Sequence, residues 1–299
     1  MPVVTVYADI PWTGGIARTV VVHFGIDVPT ERAVRLHGGE ESAAYRVGAH
    51  VVRIGPVWRG DERMEWCHAI AAHAATAAVE FLAPVPTGDG RTVARCDGRP
   101  VTVWPYVPGT WADDRNRAHR RQAAGLLARF HTAMAAAGAG PPPAPPGRGP
   151  VPPEVADADL DAWLAGFDRR HPVRHPLHGD YYAGNTLAAG DRIVAVLDWD
   201  EAYLGPPQRE AAHAAWEWGD GLLGGTLAGA YEFLHHYAAA GGPGADLDGT
   251  AVHQLIRQRL RSEVCWARGT DERGVQRDAG DRSYTEAQIA AFWQLRPDG

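Results

Sequence analysis

The chain has 299 residues, 45% of them hydrophobic, which is enough to bury one large core or two modest ones and excludes a disordered or fibrous protein. The formal net charge is −7 at pH 7 and no basic block is present, which argues against nucleic acid as a partner. Cys67, Cys96 and Cys265 are odd in number and widely spaced, so we expect no disulfide framework and no zinc site, but a cytoplasmic protein.

We expect no targeting signal at the start of the sequence. Residues 1–5 lack a basic segment followed by an apolar one. The most apolar stretch, 69–85, is interrupted by His73, Thr76 and Glu80. We therefore expect neither export nor association with a membrane.

Residues 34–107 alternate short β-branched runs with glycine-containing turns, a pattern typical of a small antiparallel sheet. Turns at Asp89-Gly90 and Asp97-Gly98 favour hairpins. The predicted strands cover 45–47, 50–54, 92–95 and 100–104, and one alanine-rich helix is predicted over 61–78.

After Pro108-Gly109 the pattern becomes helical. Residues 138–153 are dense in proline and glycine, which predicts an exposed linker. The predicted helices cover 117–137, 157–167, 209–218, 222–240, 250–268 and 285–295. We therefore predict an α+β protein with a first domain over 1–107 and a mainly helical second domain over 108–299.

The stretch from His178 to Asp200 contains the residues for a chemical reaction. Phosphoryl transfer needs a carboxylate that accepts the proton of an attacking hydroxyl, and oxygen ligands that hold magnesium against nucleotide phosphates. Asp180 and Asn185 are five residues apart on one loop, and Asp198 follows the apolar run 193–197, which predicts a buried strand. Asp180 is the candidate base, and Asn185 and Asp198 are candidate metal ligands; an ordinary turn is the alternative for His178-Gly179-Asp180 alone.

These motifs resemble the aminoglycoside phosphotransferase and choline kinase superfamily, relatives of protein kinases. That superfamily carries H-G-D-x-x-x-x-N and then a hydrophobic residue followed by D-W-[DE], as at His178–Asn185 and Leu197–Asp200 here. The resemblance implies a bilobal protein-kinase-like fold that uses Mg2+ and either ATP or GTP. It implies Asp180 as base, Asn185 and Asp198 as magnesium ligands, and His178 as a residue that braces the loop.

The segment 36–47 resembles the strand, glycine-containing loop and strand that cover the nucleotide in that superfamily. Backbone N–H groups near Gly39 and the hydroxyl of Ser42 would then donate to phosphate oxygens. Arg53 occupies the place of the phosphate-binding lysine, and an arginine can also bridge phosphate oxygens. The alternatives are a plain hairpin turn for the glycines and a solvated strand position for Arg53.

Residues 101–109 resemble the hinge between the two lobes, where backbone groups bind a purine edge. Because prolines 105 and 108 lack an N–H, the candidate donors are Trp104, Tyr106 and Val107.

A helix glutamate pairs with the phosphate-binding cation in the superfamily. Glu62 and Glu65 lie at slightly short spacing from Arg53, and the equivalent position falls near Cys67 and His68. An exposed helix face is therefore the favoured alternative for both glutamates.

The acceptor pocket is predicted beyond Asp200, where acidic and aromatic side chains would suit a cationic or sugar-containing small molecule. Core packing is the alternative for Trp216 and Trp218. The candidate substrate-binding residues are Glu201, Tyr203, Trp216, Glu217 and Asp220.

The leading hypothesis is an O-phosphotransferase that acts on an aminoglycoside or another hydroxylated antibiotic, such as a nucleoside. The alternatives are a kinase of choline, ethanolamine, homoserine, fructosamine or a sugar, and a nucleotide-binding module that has lost catalysis. The sequence leaves open the choice between ATP and GTP and between a monomer and a homodimer.

Overall fold

The structure is a computed structural model that describes residues 10–27, 33–36, 41–137, 140–143, 150–219, 221–224, 226–272 and 279–297. Its first part contains a five-stranded antiparallel sheet with the strand order β1-β2-β3-β5-β4. The strands are β1 (Val34–Leu36), β2 (Ala43–Val47), β3 (His50–Ile54), β4 (Ala94–Cys96) and β5 (Arg99–Pro105).

The turn between β4 and β5 forms where the sequence predicts it. Asp97 and Gly98 both have positive φ, at 49° and 76°, as a two-residue hairpin with the natural strand twist requires. The Asp89-Gly90 turn also forms, closed by a bond from the Thr87 N–H to the Arg91 oxygen at 2.7 Å, but no strands flank it, so the hairpin predicted there is wrong.

Two helices accompany this sheet. The predicted helix is α2 (Asp61–Ala74), which ends four residues earlier than expected. The other, α1 (Gly14–Phe24), was not predicted and begins at Thr13, whose side chain accepts a hydrogen bond from the Ile16 N–H. Ile16, Val20 and Phe24 of α1 pack with the sheet in one buried cluster, so α1 completes the core of the first part of the chain.

The second part of the chain is mainly helical. Its helices are α3 (Arg117–Ala135), α4 (Ala158–Arg170), α5 (Pro207–Trp218), α6 (Gly221–Gly224), α7 (Ala228–Ala239), α8 (Gly249–Glu272) and α9 (Ala279–Gln294). The single helix predicted over 222–240 is wrong: two consecutive glycines, 224 and 225, disfavour helix there, and α7 starts only at residue 228.

Short strands in the helical part position residues 178–200, the segment that carries the candidate site residues. β7 (His175–Leu177) pairs with β10 (Tyr203–Gly205), and a second sheet has the order β6-β8-β9, formed by β6 (Thr110–Trp111), β8 (Thr186–Ala189) and β9 (Arg192–Val196). The loop from β7 to β8 therefore carries residues 178–185, and β9 delivers residue 198 beside it.

One buried cluster crosses from the sheet to the helical part. Trp104 on β5 and Ile70 on α2 share this cluster with Phe130 on α3, Tyr181 in the loop 178–185 and Trp199. The domain boundary predicted at residue 107 falls between β5 and β6, and its position stays a prediction. None of the helices in the described ranges is long and apolar enough to span a membrane.

The last helices are attached by a buried ion pair. Arg257 of α8 is fully buried and donates to Asp157 at 2.5 Å, to Gln254 at 2.8 Å and to the Phe292 oxygen at 2.9 Å. Asp157 also caps α4 by accepting from the Asp159 and Leu160 N–H groups. This cluster therefore joins α4, α8 and α9.

We expect Arg257→Met to lower the free energy of unfolding by ~3–5 kcal/mol, because it removes the buried guanidinium that donates to the buried Asp157 carboxylate and leaves only the more distant Arg296 as a cation, at 3.9 Å. Arg261→Met is the matched control on the same helix: its partner Asp161 is exposed, so the loss should be ~0–1 kcal/mol. Urea denaturation of both variants measures the difference, and equal losses would contradict the structural role of the buried pair.

Candidate active site

The loop 178–185, called the catalytic loop below after its candidate role, is hydrogen-bonded to the segment that carries Asp198. His178 is fully buried, and its Nε2 donates to the backbone oxygen of Leu197 at 2.9 Å. The Leu197 N–H in turn donates to the backbone oxygen of Asn185 at 2.8 Å. The imidazole also packs against the Trp199 ring, with centroids 4.6 Å apart. These contacts fit the bracing role that the resemblance implies for His178.

Glu210 of α5 binds the backbone of the same loop. Its carboxylate accepts from the His178 N–H at 3.0 Å, from the Gly179 N–H at 2.6 Å and from the His131 imidazole at 2.8 Å. Burial disfavours the charge, but the His131 hydrogen bond and the other donors outweigh it and lower the pKa of Glu210. We did not predict this residue. Its position among the buried alanines of α5 could have indicated a buried carboxylate that needs hydrogen-bond donors.

Both oxygens of the Asp180 carboxylate are hydrogen-bonded. Asn185 Nδ2 donates to Oδ2 at 2.8 Å, and Arg259 Nη2 donates to Oδ1 at 2.8 Å. Because the amide nitrogen of Asn185 faces Asp180, its amide oxygen is the atom that can bind a cation. The structure thus brings together two predicted site residues and adds Arg259, which was not predicted.

Asp198 follows β9 in a left-handed backbone conformation, with φ of 60°. Such a conformation costs free energy for a residue other than glycine, and strained residues of this kind cluster at active sites as well as in turns. Burial and the neighbouring Asp200 carboxylate raise the pKa of Asp198 against the opposing charge of Arg53. A cation bound at Asp198 would stabilise the charged form of this buried carboxylate.

Asp200 is the partner of two arginines from the sheet side. Arg53 Nη2 lies 3.0 Å from Asp200 Oδ2 and 3.2 Å from Asp198 Oδ1. Arg59 also pairs with Asp200 and reaches Glu41 at 2.8 Å, so it connects Asp200 to the strand-loop-strand segment. Burial opposes ionisation, but the two guanidinium groups prevail and lower the pKa of Asp200.

Arg53 has no glutamate partner from α2. Glu62 is exposed, and Glu65 accepts hydrogen bonds from the Thr92 and Val93 N–H groups at 3.0 and 3.1 Å. Burial lowers the pKa of His68 to about 4, so this residue of α2 is neutral at pH 7. The carboxylates that pair with Arg53 are those of Asp198 and Asp200, which follow β9.

The hinge prediction needs one correction. The Tyr106 N–H donates to the Ala49 oxygen at 2.8 Å, so it is already used and is not available to a purine. The Trp104 side chain is buried and donates to Thr102 at 3.1 Å, while the role of its backbone N–H in purine binding stays a prediction. Val107 is half-buried just beyond β5, and a role of its N–H in purine binding stays a prediction.

The phosphate-loop predictions are only partly located. Gly39 lies outside the described residues. Ser42 is buried at the start of β2, near Gly55 at the end of β3, and its phosphate role stays a prediction.

The acceptor-side predictions divide into two groups. Trp216 is 6% exposed and packs in the core of α4, α5, α8 and α9, so its assignment to substrate binding is wrong and the packing alternative is right. Glu217 binds Arg259 at 2.9 Å and so lies near Asp180. Tyr203 is on β10 next to the strand that precedes the catalytic loop, and its role stays a prediction.

Two further acceptor-side residues complete the set. Glu201 is exposed, and its backbone oxygen lies against Gly179 of the catalytic loop. Asp220 lies outside the described residues.

The donors at the site suit magnesium. Mg2+ in nucleotide-dependent enzymes takes one or two protein oxygens and completes its shell with water and phosphates. The Asp198 carboxylate and the Asn185 amide oxygen fit that set. Within the described ranges no cluster of three or more His, Cys, Asp or Glu side chains suited to a metal occurs.

Sequence comparison connects these features with a known family. The profile of the Phosphotransferase enzyme family matches residues 32–244, which is more than half of the chain. Hygromycin-B 4-O-kinase from Escherichia coli is 30% identical over 146 residues, which make up 46% of this chain and 42% of that protein. The chain thus matches less than half of the length of this curated relative.

Solved structures show the same fold. The amicoumacin kinase hAmiN, in complex with AMP-PNP, Ca2+ and Ami, superposes with a TM-score of 0.67 and 13% identity over 94% of this chain and 92% of that chain. Spectinomycin phosphotransferase, in complex with ADP and spectinomycin, superposes with a TM-score of 0.61 and 15% identity, over 94% of this chain and 97% of that chain. The predicted bilobal, kinase-like α+β fold is confirmed, and the chain belongs to the phosphotransferase enzyme family.

Proposed function

We propose that the chain transfers the γ-phosphoryl group of ATP or GTP to a hydroxyl group of a small molecule, with a hydroxylated antibiotic as the leading acceptor. One observation carries the proposal: Asp180, Asn185 and Asp198 meet on two cross-bonded segments, beside an arginine from the sheet. We further propose that the protein is cytoplasmic, that the boundary between its two lobes lies at residue 107, and that it is a monomer or a homodimer.

Asp180 orients the acceptor hydroxyl and takes its proton. The hydroxyl oxygen forms a bond to the γ-phosphorus while the bond from that phosphorus to the bridging oxygen breaks, and the nucleoside diphosphate leaves. Asn185 keeps the Asp180 carboxylate in place through its amide nitrogen. Because the hydroxyl attacks the phosphorus directly, no phosphorylated enzyme is formed.

Arg53 would bind the phosphates once the nucleotide enters. Its guanidinium now bridges Asp198 and Asp200, and a triphosphate would compete for the same donors. Asn185 and Asp198 would hold Mg2+. Bound there, Mg2+ would neutralise charge on the phosphate oxygens. Asp200, held by Arg59, would keep Arg53 close to the phosphates after Asp198 has turned to the cation.

Carboxylates lie near Asp180. Glu217 and Glu263 are paired with Arg259, whereas Glu201 is exposed, and its charge would favour a cationic acceptor. The names of the similar proteins, kinases of hygromycin B and spectinomycin among them, support an antibiotic as acceptor. A wild-type assay with ATP or GTP against antibiotics, amino alcohols and sugars tests the proposal, and no transfer to any acceptor would refute it.

We expect Asp180→Asn to lower kcat by about 10²–10⁴-fold, because the amide cannot accept the hydroxyl proton. Asp191→Asn, an exposed aspartate bonded to Asn116, is the matched control and should keep wild-type kcat. Equal activity of Asp180→Asn and wild type would favour a nucleotide-binding module without catalysis.

Asp198→Asn should abolish the contribution of Mg2+ to nucleotide affinity, because an amide is a much weaker ligand for this cation than a carboxylate. Calorimetric titration with ATP, with and without Mg2+, measures this contribution for wild type and variant. An unchanged dependence on Mg2+ would exclude Asp198 from the metal site.

Gly179→Ala should lower kcat by about 10²-fold, because a Cβ there would lie 2.1 Å from the Glu201 oxygen and would displace the loop. Gly190→Ala is the matched control: both glycines have positive φ, at 87° and 59°, but a Cβ at Gly190 meets no atom within 4 Å. Both variants share the backbone strain, and only the first has the clash. Similar kcat values for the two variants would show that loop position is not limiting.

A further inference from the structure

An arginine outside the family-matched residues reaches the catalytic carboxylate. Arg259 lies on α8, beyond the end of the match at residue 244. Its Nη2 lies 2.8 Å from Asp180 Oδ1. Helix α8 therefore supplies a cation to the centre of the site.

Three carboxylates hold this guanidinium, one at each nitrogen. Besides Asp180, Glu217 lies 2.9 Å from Nε and Glu263 lies 3.0 Å from Nη1, and the side chain is 13% exposed. Burial opposes the charge, but the carboxylates of Glu263, Glu217 and Asp180 raise the pKa of Arg259 well above its usual range. Arg259 is thus a fixed cation in a fixed orientation.

Together with Asn185, this arginine determines the orientation of Asp180. Arg259 occupies Oδ1 and the Asn185 amide occupies Oδ2, so rotation of the carboxylate would break one bond or the other. Each carboxylate oxygen has a second lone pair, which remains for the acceptor hydroxyl. Transfer is sensitive to such orientation, because a displacement of about 1 Å can cost about 10²-fold in rate.

Arg259 differs from its neighbours on α8 in what it binds. Arg257 and Arg261 bind α4 and its cap, through Asp157 and Asp161. Arg259 joins α8 to Glu217 of α5 and, in addition, reaches Asp180 of the loop 178–185.

We infer that Arg259 is a positioning residue for phosphoryl transfer, which orients the Asp180 carboxylate toward the acceptor hydroxyl. Glu217 and Glu263 hold Arg259, so Glu217 acts through Arg259 rather than by binding the acceptor itself. This inference rests on the proposed function.

The test measures kcat, acceptor KM and nucleotide affinity for Arg259→Ala, Arg259→Lys and the control Arg261→Ala. We expect Arg259→Ala to lose about 10²-fold in kcat with unchanged nucleotide Kd. Arg259→Lys should lose about 10-fold, because lysine keeps the positive charge but lacks the planar guanidinium that binds several carboxylates at once. Added guanidinium should restore part of the kcat of Arg259→Ala only. Wild-type kcat in Arg259→Ala, a loss equal to that of Arg261→Ala, or a loss confined to nucleotide Kd would overturn the inference.

A second measurement separates this inference from the proposed function. Asp180→Asn, Arg259→Ala and the double variant are unfolded thermally, and a shift of the midpoint that is not additive shows that the two side chains are coupled. A wild type that phosphorylates no acceptor would refute the reaction and hence the catalytic role, whereas additive shifts would refute the contact itself. If Arg259→Ala does not fold, Arg259→Gln replaces it in both measurements.

Discussion

Pairing of guanidinium with carboxylate holds the catalytic segment in its place. Asp180, Asp198 and Asp200 lie within a partly buried cleft, where unpaired charges are costly. Arg259 of α8 binds the first of them, and Arg53 binds the other two. Cations from distant parts of the chain therefore meet at one short segment, which connects the sheet with α8.

The backbone of this segment has a separate support. Glu210 accepts hydrogen bonds from the two N–H groups that precede Asp180, and His178 binds the carbonyl of Leu197. These bonds satisfy buried polar groups that would otherwise cost free energy. The loop thus has a rigid base, while Arg53, which binds the two carboxylates that follow β9, is the group that a nucleotide can engage.

The sequence predicted the fold class and the core of the site because these depend on local pattern. Short β-branched runs indicated a β-rich first part of the chain, and helical periodicity indicated a helical second part. Asp180, Asn185 and Asp198 lie within 19 consecutive residues and form a recognisable motif. Arg259 and Glu210 escaped prediction because their partners are 79 and 32 residues away, a separation that only tertiary structure closes. Trp216 was misassigned because an aromatic residue near a motif has the same local pattern in a core and in a pocket.

Arg53 is part of a wider property of the chain: its sequence contains no lysine, and all 29 of its lysine and arginine positions are arginine. A guanidinium stays protonated at neutral pH and is a poor nucleophile, in contrast to a desolvated amine. Nucleotide analogues that label a kinase by acylating or sulfonylating a lysine would therefore find no side-chain amine in this cleft. Dicarbonyl reagents, which condense with guanidinium, are the chemistry that matches Arg53.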